Sequence, residues 1–244
     1  MAYTIYDDFA WFFDRYWADG FLDDAREGFE SFFLSRLSPG SRVLDVCCGT
    51  GQMARLLCER RFEVVGVDGS QPMIELAREN APEATFEQAD VCEFVPAGSF
   101  RAALSMYDSV NHFESLESIR AVFLNVFNAL EPGGLFLFDV NTADGFQEAA
   151  AETYADVETK RVCVVKTHFD ENAGHAVAAI TLFQTKDEKW SRRDFKIEEF
   201  LHDAADLKRT LHEVGFADVE ILSAEDDFGM NRGYGRLFFL ATKA

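Results

Sequence analysis

The sequence predicts an α/β fold: a mainly parallel sheet with helices on both faces and a small antiparallel β insertion after its fifth strand. Three observations carry this. Strand-like and helix-like segments alternate from Arg42 to Asp144, which calls for parallel strands joined by crossover helices. A glycine-rich turn joins the first strand to the helix after it. After Asn141 the rhythm changes to long β segments, and 244 residues with 48% hydrophobic content suffice for one domain with elaborations.

The first stretch is aromatic, with Tyr3, Tyr6, Phe9, Trp11, Phe12, Phe13, Tyr16, Trp17 and Phe21. It leads into a helix whose apolar positions Ala25, Phe29, Phe32, Phe33 and Leu37 mark one buried face. The aromatics suit a packed helix pair or a lid over a ligand. Pro39-Gly40 then releases the chain into a strand. Val43 to Val46 is the first strand, Met53 to Arg60 a helix and Glu63 to Val67 the second strand. A helix over Pro72 to Glu79 is entered through Ser70, with Pro72 in the first turn, where its missing N–H does no harm. Thr85 to Gln88 is a short third strand and Ala102 to Met106 a fourth. The helix from Leu116 to Leu130 is stopped by Pro132-Gly133-Gly134, and Leu135 to Val140 is the fifth strand. Val157 to Phe169, Ala176 to Lys186 and Trp190 to Phe200 read as β segments, the first two joined by a turn at Glu171 to Gly174. The last helix takes Asp203 as N-cap, Leu207, Leu211 and Val214 as core positions and Gly215 as its stop. Phe216 to Leu222 and Arg236 to Thr242 complete seven core strands. The expected division is an N-terminal helical lid over 1–37, a core over 38–145 and 201–244, and an antiparallel β cap over 146–200.

Lys and Arg number 23 against 43 Asp and Glu, a formal net charge of -20 that repels polyanions such as nucleic acid and anionic lipid. No segment reaches the roughly 18 uninterrupted apolar residues of a membrane span. Cys47, Cys48, Cys58, Cys92 and Cys163 form an odd set without C-x-x-C spacing, so neither a disulfide framework nor a zinc site is expected. Reduced thiols and an acidic, aromatic N-terminus without a leader pattern point to a cytoplasmic protein.

The central signal runs from Asp45 through Gly49 and Gly51 to Ala54, a G-x-G-x-x-A turn between strand and helix. Glycines there let backbone approach a ligand, and a small Ala54 lets helix pack on sheet. Asp68 ends the second strand, where a carboxylate can accept from both ribose hydroxyls of an adenosine-type ligand, with Gly69 and Met73 beside it. A dinucleotide would bring an anionic pyrophosphate toward Asp45, which is unfavourable. S-adenosylmethionine (SAM) instead brings a sulfonium and an ammonium, for which Asp45 is an asset. Asp90 after the third strand can accept from an adenine amino group, with Val91 offering backbone.

Val43-Leu-Asp-Val-Cys-Cys-Gly-Thr-Gly51, Val64-Val-Gly-Val-Asp-Gly-Ser70 and Gln88-Ala-Asp-Val91 resemble the SAM-binding motifs of class I methyltransferases, and the resemblance runs from about Tyr6 to Lys243. Tyr6-x-x-Phe9-Ala10, Asp108-Ser-Val-Asn111, Phe138-Asp-Val-Asn141 and Phe238 to Lys243 are similar to a small-molecule branch. A Tyr-Asp pair of that branch is Phe13-Asp14 here. The resemblance implies a Rossmann-like seven-stranded mixed sheet of order 3-2-1-4-5-7-6 with the seventh strand antiparallel. It also implies that Asp45, Gly49, Gly51, Asp68, Asp90 and Met106 contact SAM, that Tyr6 closes near its methionine end, and that the insertion caps the substrate pocket.

Methyl transfer from a sulfonium needs no metal, and alignment alone supplies roughly 7–11 kcal/mol of barrier reduction. Tyr107, Asp108, Asn111 and His112 follow the fourth strand on the ligand edge. His112, with an ordinary pKa of about 6.5, is the expected base, Tyr107 the second catalytic candidate, and Tyr6, Asn111 and His112 the expected substrate contacts. The reading is a SAM-dependent transfer, with S-adenosylhomocysteine (SAH) as product, to nitrogen or oxygen of a small-molecule acceptor. An NAD-dependent oxidoreductase and a non-catalytic SAM-binding protein are the alternatives.

Overall fold

The computed structural model describes Tyr6, Asp7, residues 9–187 and residues 189–244; Tyr3 of the aromatic stretch lies outside them. Helices α1 (Ala10–Tyr16) and α2 (Ala18–Gly28) precede β1 (Arg42–Val46), α3 (Gln52–Glu59), β2 (Glu63–Asp68), α4 (Gln71–Asn80), β3 (Thr85–Gln88) and β4 (Phe100–Ser105). Then come a short turn of helix at Ser109–His112, α5 (Leu116–Ala129), β5 (Leu130–Asn141) and α6 (Ala143–Ala151). Four strands follow, β6 (Thr153–Glu158), β7 (Arg161–Asp170), β8 (His175–Lys186) and β9 (Lys189–Phe200), and α7 (Ala204–Val214), β10 (Phe216–Ser223) and β11 (Arg236–Lys243) close the chain.

Seven strands form one sheet in the order β10-β11-β5-β4-β1-β2-β3, the implied order, with β11 antiparallel to β5 and β10. Alternation along the strands builds two cores. Val43, Val64, Leu104, Leu137 and Phe238 pack with α2, α3 and α4 on one face. Leu44, Val46, Ala103, Phe136 and Phe239 pack with α5 and α7 on the other. Side-chain caps start the helices where expected: Ser70 Oγ accepts from Met73 N, and Asp203 Oδ1 accepts from Ala205 N at 2.7 Å. Gly215 ends α7 at φ +126°, and a Cβ there would lie 2.7 Å from Phe127 Cζ. Among the described residues no helix is long and apolar enough to cross a membrane.

Three elements differ from the sequence reading. The segment expected as one strand over Val157–Phe169 is the β6–β7 hairpin, turning at Thr159-Lys160. That turn lacks Gly, Pro, Asn and Asp, the residues that mark turns in a sequence. Helix α6 was not expected, because Phe146 is its sole buried side chain and no apolar period develops. Strand β5 begins at Leu130, paired with Phe100, and passes through an irregularity where Gly133 takes φ +72° before pairing resumes at Leu135.

The four later strands form a second sheet, β6-β7-β8-β9, antiparallel throughout. Its inner face, with Cys163, Ile180, Leu182 and Ile197, packs on Phe9 and Phe12 and makes a third core. Arg161, also inner-facing, pairs with Asp156 at 2.6 Å and lies over the Tyr16 ring. The N-terminal aromatics therefore join this sheet to the larger one.

Candidate active site

A cavity of about 210 Å³ lies at the carboxyl ends of β1, β2 and β4 and is walled on its other side by α1, α2, β8 and β9. Open α/β sheets collect ligands at that edge. Tyr6, Asp45, Gly49, Asp68, Gly69, Met73, Val91, Met106, Tyr107 and His112 line it. Gly51, Asp90 and Asn111 are not among the lining residues.

Where the chain leaves β1, Cys47, Gly49 and Gly51 all take positive φ, which folds the loop tightly over the sheet edge. Asp68 fixes this loop: Oδ2 accepts from Gly49 N at 3.0 Å and Oδ1 from Ser70 N at 2.9 Å. Burial raises the Asp68 pKa, and these amides oppose the shift. A Cβ on Gly49 would meet Phe13 at 3.5 Å, on the cavity side. One on Gly51 would meet Ala77 Cα at 2.9 Å, so this glycine serves the packing of α3 against α4. Asp45 is 2% exposed, and its Oδ2 has no hydrogen-bond partner. Burial first, then the Asp68 charge, push its pKa to about 8. Helix α1 is tied down through Asp14, whose Oδ1 accepts from Gln52 Nε2 at 2.8 Å and from Asn80 Nδ2 at 2.5 Å.

Beyond β4 the backbone is strained, with Tyr107 at φ +67° and Asp108 at φ +49°. Asp139 on β5 holds both: its Oδ1 accepts from Tyr107 N at 2.7 Å and its Oδ2 from Asp108 N at 2.9 Å. Arg236 on β11 donates to Asp139 Oδ2 and, at 2.8 Å, to Asp108 Oδ1. His112 Nδ1 lies 3.1 Å from the Glu198 carbonyl and 2.9 Å from Tyr6 Oη. A carbonyl only accepts, so the Glu198 contact calls for the tautomer with its proton on Nδ1 and a basic Nε2, Tyr6 Oη serving as a second acceptor. Burial lowers the His112 pKa, against the Asp108 charge and the Glu198 carbonyl, so the ring is neutral near neutral pH. Burial raises the pKa of Tyr6 and Tyr107 and keeps both as phenols. Asn111 is fully committed to backbone: Nδ2 donates to Asn141 O and Phe200 O, and Oδ1 accepts from Asn141 N.

A methyltransferase-domain model matches residues 43–134, the stretch that carries β1 to β4 and the start of β5. A protein of Geobacillus sp. strain WCH70 named as a methyltransferase is 27% identical over 98% of this chain and 99% of its own length. The dTDP-3-amino-3,4,6-trideoxy-alpha-D-glucopyranose N,N-dimethyltransferase of Streptomyces venezuelae is 32% identical over 47% of this chain and 51% of its own. An S-adenosylmethionine-dependent methyltransferase from Clostridium acetobutylicum shares the fold at a TM-score of 0.79, with 19% identity, covering 98% of this chain and 99% of that one. The chain is thus similar over residues 43–134 to methyltransferase domains, and it shares the fold of SAM-dependent methyltransferases over nearly its whole length. The nicotinamide alternative is set aside with that result.

Several residues that line the cavity were not singled out from the sequence as site residues. Phe9, Phe13, Trp17 and Phe21 form an aromatic wall, with Tyr107 lying 4.6 Å from Phe21 between ring centroids. The aromatic density of the N-terminus was visible in the sequence, but not its direction. Asp108 and Glu199 also line the cavity. Glu199 sits on a strand whose outer positions are charged as well, so nothing in the sequence singles it out.

Proposed function

We propose that this methyltransferase binds SAM against the loop after β1 and transfers its methyl to a nitrogen or oxygen of a small molecule held between that loop and the four-stranded sheet. The observation that carries the reading is Asp45, a buried carboxyl with an unpartnered oxygen on the cavity wall. Such a group is costly unless a cation meets it, and SAM carries an ammonium and a sulfonium where a dinucleotide carries a pyrophosphate. Asp68 accepts from the backbone of Gly49, Ser70 and Gly69 and still has acceptor capacity toward the cavity, which suits a ribose hydroxyl. Gly69, Met73, Val91 and Met106 are the wall against which adenosine would lie. Asp90 has a different role in this reading: its Oδ1 accepts from Cys92 N at 3.0 Å.

When bound, SAM supplies an electrophilic methyl on a good leaving group. The aromatic wall excludes water and aligns the acceptor. His112 Nε2 takes the acceptor's proton, while the Glu198 carbonyl holds Nδ1–H and fixes the ring. Tyr6 and Tyr107 act as neutral phenols. Residues 1–37 serve as lid and 146–200 as cap in this scheme, because both contribute to the cavity wall opposite the sheet edge. The amino-sugar nucleotide named for the Streptomyces relative supports a small-molecule acceptor, and the net charge of -20 disfavours nucleic acid. Among the described residues the five cysteines form no disulfide, which fits the reducing cytoplasm.

Thermal denaturation tests the cofactor. SAM or SAH at 100 times its Kd adds about 2.7 kcal/mol to stability, whereas NAD leaves the melting temperature unchanged. Stabilisation by NAD and by neither SAM nor SAH overturns the reading.

A further inference from the structure

The four-stranded sheet contributes Ala178, Ile197 and Glu199 to the cavity wall, and Glu199 alone of these is polar. A carboxyl in an apolar row over a ligand cavity breaks the strand's own pattern, as functional positions do. Its surroundings narrow what it does. Asn141 Nδ2 donates to Glu199 Oε2 at 3.3 Å, and the Asp108 carboxyl is in hydrogen-bonding contact with it. Asp139 is fully used, by two backbone amides and Arg236. Arg236 is thus one guanidinium against three carboxyl groups, Asp108, Asp139 and Glu199, while His112 adds no charge. The acceptor end of the cavity is short of positive charge.

We propose that the acceptor is an amine, and that Glu199 together with Asp108 binds its ammonium form and selects it over an alcohol or a carboxylate. This rests on the cofactor reading above. Phe9, Trp17 and Tyr107 in the cavity wall suit an alkylammonium, which aromatic rings attract without needing a hydrogen bond. For the nitrogen to react, one N–H bond breaks, the proton goes to His112 Nε2, and the electron pair stays on nitrogen. An alcohol leaves the carboxyl pair without a cation, and a carboxylate acceptor is repelled.

Burial and the Asp108 charge push the Glu199 pKa up, so its carboxyl keeps a proton until a cation lies beside it. The titratable and charged groups that act on it are Tyr6, Tyr107, Asp108 and, from β11, Arg236. An ammonium that pairs with Glu199 at pH 7 therefore expels a proton to solvent.

Calorimetry on the protein saturated with SAH, using 2-phenylethylamine, 2-phenylethanol and phenylacetate as matched probes, tests this in two buffers of different ionisation enthalpy. The amine is expected to bind about tenfold or more tighter than the alcohol, the carboxylate weakest, and only the amine to release a proton. Glu199→Gln keeps an acceptor for Asn141 and should abolish both the preference and the proton release while leaving SAH affinity unchanged. Equal binding of amine and alcohol by the wild type overturns the proposal, and so does a Gln variant that keeps the preference. The wild-type series decides the matter if the variant does not fold. Failure to bind SAH counts against the cofactor site instead.

Discussion

Replacing Asp45 with Asn removes a buried carboxyl that ends β1 and changes little in volume. In the wild type, burial and then Asp68 raise its pKa from 3.8 to about 8, so at pH 7 about nine-tenths of the molecules hold the proton. A sulfonium and an ammonium nearby favour the carboxylate and are expected to draw that pKa back below about 5. Cofactor binding at pH 7 should therefore expel about 0.9 proton. Affinity should improve about tenfold per pH unit between pH 5 and 7, each factor worth about 1.4 kcal/mol, and flatten near pH 8. Asp45→Asn should bind SAM more weakly and without that slope. The folded-state pKa lies above the unfolded one, so Asp45 contributes stability present below about pH 4 and lost as pH rises through 8. Without ligand, the Asn variant should then melt above the wild type at pH 8. Titration calorimetry in phosphate and Tris buffers, from pH 5 to 8, reads affinity and proton release together. No proton release at pH 7, or the same slope in the variant, refutes the reasoning.

His112→Asn should lower turnover roughly a hundredfold or more with SAM affinity unchanged, and the pH–rate profile should lose its acidic limb. Gly51→Ala forces a Cβ to 2.9 Å from Ala77 Cα at φ +83°, so a loss of roughly 1–3 kcal/mol is expected in denaturant titration. Arg236→Met leaves Asp108 and Asp139 buried without their cation, and the expected loss at pH 7 is about 3–5 kcal/mol. The freed carboxyls then have folded pKa values above their unfolded ones, so the deficit in melting temperature should shrink as pH falls toward 5.

The part of the cavity wall that follows β1, β2 and β3 was legible because it is local. Asp45, Gly49, Asp68 and Val91 stand at successive strand ends, and strand spacing in the sequence gives their order on the sheet edge. Gly51 was legible as a glycine but not in its reason, since its neighbour Ala77 belongs to the next helix. Asn111 was placed at the right loop, but its amide caps the joint between β5 and β9, a contact set by chain reversal 89 residues away. Glu199 was invisible for the opposite reason: charged residues are common on β9, and only the fold decides which of them faces inward.

In the proposed scheme the acceptor half depends on β11, the antiparallel neighbour of β5. Two left-handed residues in a row, Tyr107 and Asp108, cost roughly 1–3 kcal/mol each unless the surroundings impose them. Asp139 imposes them by accepting both amides, yet burial raises its own pKa to about 6. A neutral Asp139 would lose half of that hold. Arg236 keeps it ionised, and Arg236 is available only because β11 runs back beside β5 and delivers its first residue, opposite Asn141, to the ligand edge. The antiparallel strand thus supplies, from the far end of the chain, the charge that fixes the loop carrying His112 and Asp108 before any acceptor arrives.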